Sequence, residues 1–409
     1  MKHPLVLIEL YAHRLGGHHQ HALVALAGTR ADTVVIAPYG VAAEAAAALR
    51  ASGARVSGPV GPAARMLSLA AGAAAALSAA GQRLFAARRW PTGVRRAPHQ
   101  ITLLARCLNE AACLRTARRL APDAAAVVVL SASEALHGAA ALLGGHPHLR
   151  FVHEKVTTED APARLIGRLA RRGEQHVRAL CPTRAVRDQI AAGFPQLDAE
   201  VRTFAVDDGR RLSRAEREGA RTAFAIPPGE QAVCLVGGWW PHKDIGVIDA
   251  ALPRLTKDLH LVVSGHPWDE STLQRWQGLP QVTLHTVPGP VSEEVLRIIL
   301  GAADAVVVTR HPGVGKESGL VMGAVRHGVP LIVSDHDPDL NARLTGQDWA
   351  LTFPAGDPAA LAAVLDHLRV EHLPRPGPGA AHAVGQPAAD EQTAFLIDAY
   401  RRLLAKEES

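Results

Sequence analysis

Short runs of apolar and β-branched residues recur along the chain and alternate with stretches of helical character. In the first half these runs are LVLIEL (5–10), TVVIAP (33–38), AAVVVLS (125–131) and LRFVHE (149–154). In the second half they are AVCLVGG (232–238), HLVVSG (260–265), QVTLHTV (281–287), AVVVTR (305–310) and VPLIVSD (329–335). Continuous apolar runs of about four to eight residues, each followed by a helix, indicate parallel strands that are buried on both faces. Two such series predict two doubly wound α/β domains.

Three segments interrupt or follow this pattern. Residues 62–121 are rich in Ala, Leu and Arg and predict a helical insert, which Pro91 and Pro98 split into separate helices. Residues 371–388 are rich in Pro, Gly and Ala and predict a linker. The predicted domains are therefore 1–205, which contains the insert, and 206–388. A last helix in 389–409 is expected to pack back on the N-terminal domain.

Length and charge agree with this division. A chain of 409 residues exceeds the size of one ordinary hydrophobic core. Residues 1–205 carry 25 Lys and Arg against 13 Asp and Glu, whereas residues 206–409 carry 19 against 26. The basic first half indicates either an anionic partner or solvated helix faces. It lacks the interleaved aromatic residues that are typical of nucleic-acid binding, and we expect no nucleic-acid partner.

Cysteine usage and hydropathy predict a cytoplasmic protein. The composition is rich in Ala and Arg and poor in Lys, which is typical of a GC-rich genome, and a bacterial source is expected. The four cysteines lie far apart, which favours buried free thiols over a zinc site or disulfides. The N-terminus lacks the long apolar core of a signal peptide, and the most apolar stretch, 66–82, is slightly too short to span a membrane. No metal is expected, because His18, His19 and His21 do not share one helix face and Asp335-His336-Asp337 follows a later strand.

Two glycine pairs follow predicted strands. Gly16 and Gly17 precede a helix that begins at His18, and they predict either a close approach of backbone to ligand or a structural turn. Gly237 and Gly238 open the segment GGWWPHKD, in which Lys243 is placed to bind phosphate together with backbone N–H groups. The alternative is a plain turn with a surface lysine.

A third loop, TRHPGVGKESGL (309–320), joins a buried strand to a helix. Its glycines, the cations Arg310 and Lys316, and a helix start at Ser318 together predict a pyrophosphate cradle. Glu317 is placed to accept a hydrogen bond from a sugar hydroxyl. The helix is predicted to end at Gly328.

The motifs after the strands resemble those of the retaining GT-B glycosyltransferases of family 4. LVGGWWPHKD (235–244), VVSGHP (262–267) and GVGKESGLVMGAVRHGVPLIVSD (313–335) resemble three successive motifs of the family's second domain, and the similarity covers roughly 230–370. The first half is less similar. There, Gly16-Gly17 resembles the N-terminal glycine loop, and FVHE (151–154) resembles a strand-His-Asp segment.

The resemblance implies two Rossmann-like domains that face each other across a cleft. It implies transfer of a sugar from a nucleoside-diphosphate sugar to a small-molecule or glycan acceptor, with retention and without metal or cofactor. The residues assigned to the donor are Gly237, Gly238, Lys243, Gly265, Arg310, Gly315, Lys316, Ser318 and Gly319. Those assigned to catalysis are His153, Glu317 and Lys243, and those assigned to the acceptor are Gly16, Gly17 and His18.

Three positions depart from the family pattern. Gly238 stands where the family has an arginine for the diphosphate, and Gly315 and Gly323 stand where it has glutamates. Two alternatives therefore remain: a catalytically impaired sugar-nucleotide-binding protein or partner subunit, and another GT-B enzyme such as a sugar-nucleotide epimerase. The arginine-rich insert leaves peripheral membrane contact open, although the absence of an amphipathic period with Trp or Phe anchors favours a soluble acceptor.

Overall fold

The computed structural model describes residues 3–14, 18–86, 92–132, 137–153, 171–266, 268–315, 318–368 and 373–407. The chain divides into two compact units. The N-terminal unit contains Met1–Arg14, His19–Phe204 and Ala389–Ser409, and the C-terminal unit contains Ala205–Ala388. Each unit is built around one parallel β-sheet.

The N-terminal unit has a seven-stranded sheet in its described residues, with strand order β3-β2-β1-β4-β5-β6-β7. The strands are β1 (Leu5–Ile8), β2 (Val34–Ile36), β3 (Arg55–Ser57), β4 (Ala126–Ala132), β5 (His148–Val152), β6 (Val177–Cys181) and β7 (Asp198–Val201). The helices are α1 (His18–Gly28), α2 (Ala43–Ala51), α3 (Pro62–Ala86), α4 (Thr92–Leu120), α5 (His137–Gly144) and α6 (Arg184–Gly193). The strand order reverses between β1 and β4, as in a doubly wound fold.

The insert forms two long helices, α3 and α4, that pack against each other. The expectation that Pro98 separates helices is wrong, because Pro98 lies inside α4. Its carbonyl accepts hydrogen bonds from the hydroxyls of Ser78, at 2.6 Å, and Thr102, at 3.0 Å. Buried Glu110 of α4 forms an ion pair of 2.8 Å with buried Arg150 of β5, which fixes α4 to the sheet.

The hydropathy of α3 corrects another expectation. The segment Pro62–Leu84 is long and apolar enough to cross a membrane by length and composition, whereas the stretch 66–82 was expected to be too short. The difference arises because the helix extends beyond both ends of the stretch judged from sequence. Only 17% of the most apolar window is buried inside the structure.

The C-terminal unit has a six-stranded sheet in its described residues, with strand order β10-β9-β8-β11-β12-β13. The strands are β8 (Ala232–Val236), β9 (Leu259–Gly265), β10 (Val282–Pro288), β11 (Ala305–Val308), β12 (Leu331–Ser334) and β13 (Ala350–Phe353). The helices are α7 (Arg214–Ala223), α8 (Ile245–Ala251), α9 (Glu270–Gln277), α10 (Glu293–Ala302), α11 (Gly319–His327), α12 (Pro338–Leu344), α13 (Pro358–His367) and α14 (Ala380–Ala383).

Side chains that alternate along the central strands enter two separate hydrophobic cores. Cys234 and Val236 of β8 pack into one core, while Val233 and Leu235 pack into the other. Successive side chains of a strand point to opposite faces of the sheet, so both faces are covered. Helix α11 ends as the sequence predicts, at Gly328 in the left-handed conformation (φ 72°).

The last two segments of the chain each pack on one unit. Residues 371–388 were expected to form a linker, but in the described part, 373–388, Ala380, Ala381 and Val384 are buried in the C-terminal core, and the Gln386 amide donates to the Met322 carbonyl at 2.9 Å. Apolar side chains in this Pro- and Gly-rich stretch explain why it packs. The final helix, α15 (Ala389–Glu407), packs on β4, β5 and β6 of the N-terminal unit.

Candidate functional site

The C-terminal unit offers a ligand site where its strand order reverses. The reversal lies between β8 and β11, and loops after such strands diverge and leave a crevice at the carboxyl edge of the sheet. The described parts of the two loops are 237–244 and 309–315, and Ser318 follows the second loop at the start of α11. The Asp244 N–H donates to the Thr309 carbonyl at 3.3 Å, which holds one loop against the other. The second and third sequence motifs therefore meet at one edge.

Lys243 lies at the base of this edge. Its Nζ donates to the Val236 carbonyl at 2.7 Å and to the Gly237 carbonyl, so the ammonium folds back on the end of β8. Burial, and next the positive charge of Arg310, lower the pKa of Lys243 to about 8. Lys243 is half-buried and is held against the turn by these two hydrogen bonds, so it is not a freely exposed surface lysine. The half-buried Lys243 and the buried Arg310 disfavour each other's charge, and such a pair favours an anionic ligand.

Arg310 supplies the second cation and is 5% exposed. Its backbone N–H donates to the Ser334 hydroxyl at 3.0 Å, which ties the end of β11 to β12. His336 lies in the same region, where burial and the charge of Arg310 lower the pKa of its imidazole. Its Nδ1 donates to the Ser334 carbonyl at 2.7 Å, and its buried Nε2 has no hydrogen-bond partner among the described residues. His336 was not among the residues assigned from sequence.

The glycines bring backbone segments close together at this edge. Gly237 has φ 79°, Gly238 has φ 37° and Gly265 has φ 123°, all in conformations that favour glycine. A Cβ on Gly265 would lie 2.3 Å from the Gly238 nitrogen, and the Gly237 N–H donates to the Ser264 carbonyl at 2.7 Å. Gly265 is therefore required for the contact between the loops that follow β8 and β9.

The start of α11 contributes a helix N-terminus. The Ser318 hydroxyl caps the helix by accepting from the Val321 N–H at 3.4 Å, so this side chain already has a structural task. Gly319 is the first helical residue, and Gly315 lies in the preceding loop with its N–H on the Gly313 carbonyl at 3.0 Å. Lys316 and Glu317 lie outside the described residues.

The two tryptophans of the second motif have different surroundings. Trp239 packs between Trp268, with ring centroids 5.4 Å apart, and Trp276, at 5.7 Å. Trp240 is 51% exposed. Trp239, Trp268, Lys243 and Arg310 line a cavity of about 20 Å³, which has room for about one water molecule.

No group of three or more His, Cys, Asp or Glu that could hold a metal ion occurs among the described residues. The carboxylates of the Asp335-His336-Asp337 triplet already accept backbone hydrogen bonds. Asp335 accepts from the Ala355 N–H at 2.7 Å, and Asp337 caps α12. All four cysteines are free and buried, as predicted.

The N-terminal unit holds a second polar cluster where its strand order reverses. Glu9 follows β1 and is fully buried, and its Oε2 accepts from the Ser131 hydroxyl of β4 at 2.6 Å. Ser131 also lies 2.8 Å from Nδ1 of His19, so its hydroxyl links the carboxylate to the imidazole. Burial raises the pKa of Glu9 to about 7, against smaller opposing effects of Ser131, the Tyr11 N–H and Arg14.

His153 adjoins this cluster. Its Nε2 donates to the Leu130 carbonyl at 3.0 Å, and its ring packs edge-on against His19 (4.9 Å) and Phe204 (4.5 Å). His153 is thus held by backbone and aromatic contacts at the carboxyl edge of the sheet. Gly16 and Gly17 lie outside the described residues, and His18 begins α1.

Glu9 and Ser131 were missed in the sequence analysis. The available signal was a carboxylate at the end of the apolar run LVLIEL, directly before the glycine loop. A charged residue that ends a buried strand is placed at the ligand-binding edge of a parallel sheet. Its partner is 122 positions away, and no local pattern identifies it.

Neither a protein-family model nor a curated protein sequence matches the chain. Solved structures do. HepE from Anabaena, crystallised with UDP and glucose, has a TM-score of 0.60 and 12% identity over 99% of both chains. A glycosyltransferase from Rickettsia africae has a TM-score of 0.63 and 11% identity over 98% of this chain and 99% of its own.

The N-terminal domain of trehalose-6-phosphate phosphatase from Candida albicans also matches, with a TM-score of 0.63 and 11% identity over 99% of this chain and 97% of that domain. At such identities the matches show a shared fold. The predicted pair of Rossmann-like α/β domains, as in GT-B glycosyltransferases, is confirmed.

Proposed function

We propose that this chain is a glycosyltransferase that uses a nucleoside-diphosphate sugar, with a small molecule or glycan as acceptor. The observation that carries the proposal is the pair of cations, half-buried Lys243 and buried Arg310, at the strand-order reversal of the C-terminal sheet. A diphosphate there would relieve the repulsion between them and accept charge-assisted hydrogen bonds. The fold shared with HepE, which was crystallised with UDP and glucose, supports a nucleotide sugar as the ligand.

The same groups supply the chemistry of sugar transfer. Negative charge develops on the nucleoside diphosphate as the glycosidic bond breaks, and preorganised positive groups stabilise it. Lys243, Arg310 and the N-terminus of α11 would do this without a metal ion. We propose that Lys316 also stabilises this negative charge and that Glu317 accepts a hydrogen bond from a hydroxyl of the donor sugar. Activity that persists in excess chelator is the expected result.

We assign the acceptor to the N-terminal unit. The cluster of Glu9, Ser131, His19 and His153 lies at the carboxyl edge of that sheet. Glu9 and His19 flank the Gly16-Gly17 segment in the sequence. Hydroxyl, imidazole and carboxyl groups are suited to bind the hydroxyls of an acceptor. We propose transfer with retention by attack on the face that the diphosphate leaves. The anomeric configuration of the product, read by proton NMR, tests this proposal.

A specific observation favours a second candidate, a sugar-nucleotide-binding protein without transfer activity. Glycines occupy positions 238, 315 and 323, where the resembled family has charged residues. Without those side chains, binding would rest on Lys243, Arg310 and backbone groups. An epimerase of the same fold is the third candidate, and it would convert the donor sugar without an acceptor.

Turnover separates the three candidates. The protein is incubated with UDP-, GDP- and dTDP-glucose, with and without a panel of acceptors, and free nucleoside diphosphate and sugar isomers are measured. We expect release of a nucleoside diphosphate that accelerates with an acceptor. A rise in melting temperature without any release would favour the binding protein, because a ligand that binds only the folded state stabilises it. An isomerised donor would favour the epimerase.

A further inference from the structure

Helix α3 places its large apolar side chains on the outside of the N-terminal unit. An amphipathic helix of a globular protein normally turns its large apolar residues toward the core. In α3, Met66 is 72% exposed, Leu69 75%, Leu77 62% and Leu84 63%. Intervals of 11 and 7 residues separate Met66, Leu77 and Leu84, which is about three and two helical turns, so they share one face.

Small residues form the buried side of the same helix. Ala64, Ala71 and Ser78 are 2%, 0% and 2% exposed and recur every seven residues. The Ser78 hydroxyl donates to the Pro98 carbonyl at 2.6 Å and lies 2.7 Å from the Thr102 hydroxyl. This seam joins α3 to α4, and the described residues leave the outer face uncovered. The outer face is hard to recognise from sequence because alanines separate its large members and no Trp or Phe marks it.

The charge around this face selects its partner. Helix α3 contains two arginines, Arg65 and Arg83, and no Lys, Asp or Glu. Arg65 and Arg83, near the two ends of α3, are exposed. A second copy of this chain would bring the same positive charge to the contact and would be repelled. A partner that covers the face must offer both an apolar interior and negative charge, and an anionic lipid surface offers both.

We propose that α3 docks this protein on an anionic membrane surface, with Met66, Leu69, Leu77 and Leu84 inserted among the acyl chains and the arginines at the headgroups. The helix lies in the plane of the interface. It does not cross the bilayer, because its seam with α4 and the Glu110–Arg150 ion pair keep the α3–α4 hairpin on the N-terminal unit. The docking is independent of the proposed sugar transfer.

Vesicle co-sedimentation tests the proposal. The full chain is mixed with vesicles of phosphatidylglycerol and phosphatidylcholine in equal parts, or of phosphatidylcholine alone. We expect binding to the anionic vesicles that weakens as salt screens the arginines, and at least tenfold weaker binding to the neutral ones. Leu69→Gln/Leu77→Gln should bind at least tenfold more weakly than wild type, and Arg65→Gln/Arg83→Gln should lose part of the salt-sensitive binding.

The matched control is Ile298→Gln, which changes a 37% exposed apolar side chain of the C-terminal unit and should bind as wild type does. Unchanged thermal unfolding of the double variants shows that they are folded. Wild-type protein that stays in the supernatant with both kinds of vesicle overturns the proposal. So does a wild-type dimer, measured by light scattering, that Leu69→Gln/Leu77→Gln converts to monomer, because a second copy would then cover the face.

Discussion

One ionisable residue at each sheet edge has a strongly shifted pKa. In the C-terminal unit, burial together with a neighbouring cation lowers the pKa of Lys243. In the N-terminal unit, burial raises the pKa of Glu9. Both groups are thereby pushed toward the neutral form, and perturbed ionisable groups of this kind concentrate at functional sites.

Replacing Lys243 with methionine should weaken binding of the donor nucleotide while the fold remains. Loss of one charge-assisted contact with a phosphate costs about 2 kcal/mol, roughly a thirtyfold rise in Kd. Isothermal titration of the nucleoside diphosphate measures the change. Lys257→Met, an exposed lysine on the same unit, is the control and should bind as wild type does. Equal affinities of Lys243→Met and wild type would remove Lys243 from the site.

The affinity of wild-type protein for a nucleoside diphosphate should depend on pH through the same residue. The pKa of Lys243 in the free protein is about 8, and an anion binds more tightly to the protonated form. Affinity should therefore fall as the pH rises above about 8. The same titration at several pH values should show a flat profile for Lys243→Met over that range. A fall of equal size in the variant would assign the pH dependence to another group.

Glu9→Gln should change how stability varies with pH. Burial raises the pKa of Glu9 from its ordinary value of 4.5 to about 7, so Glu9 contributes stability below pH 4.5 that is lost as the pH rises to 7. The loss is on the order of 3 kcal/mol. Urea unfolding should show that Glu9→Gln gains stability relative to wild type between these pH values. Exposed Glu44→Gln is the control, and parallel profiles of Glu9→Gln and wild type would refute the assignment.

The sequence revealed the residues of the C-terminal site better than those of the N-terminal one. Lys243 and Arg310 lie in glycine-containing segments that follow apolar strands, so local spacing identifies them. The cluster of Glu9, Ser131 and His19 joins three distant segments, and only the fold brings them together. His336 was missed for the same reason, since its neighbour Arg310 lies on another strand end.

At the scale of the elements, strands that form continuous apolar runs were predictable and the others were not. The strands β1, β4, β8 and β11 are continuous apolar runs and are recognised at once. The edge strand β3 has exposed residues, and every residue of β7 is only half buried, so neither forms an apolar run. Arg178 interrupts β6, where ion pairs with Asp198 and Glu200 compensate its charge.

The contact between the loops after β8 and β9 can be tested by replacing Gly265. Gly265→Ala would place a Cβ 2.3 Å from the Gly238 nitrogen, at a residue with φ 123°. The clash and the backbone strain should lower the free energy of unfolding by at least about 2 kcal/mol and weaken nucleotide binding. Chemical unfolding and titration measure the two effects.

The matched control is Gly219→Ala in α7, where a Cβ has no heavy atom within 4 Å. Alanine there should stabilise the protein by up to about 1 kcal/mol, since glycine is a poor helix former. A neutral result for Gly265→Ala would show that the two loops can separate at little cost.

At the scale of the whole molecule, the two units repeat one architecture with different charge. Each has a parallel sheet whose strand order reverses once near its centre, and each places ionisable groups at that reversal. The N-terminal unit gathers the excess of basic residues and the apolar outer face of α3. Periodicity predicted the repeated architecture, whereas the exposure of α3 depends on which side packs on α4 and needed the structure.

Hydrogen exchange read by mass spectrometry tests the central claim, that a nucleoside diphosphate binds at the edge of the C-terminal sheet between β8 and β11. The protein is compared with and without a saturating nucleoside diphosphate chosen from the UDP, GDP and dTDP panel. Slower exchange in 236–244 and 309–321, and its absence in Lys243→Met at the same ligand concentration, is the result that this account predicts. Binding that leaves both segments unprotected would contradict it.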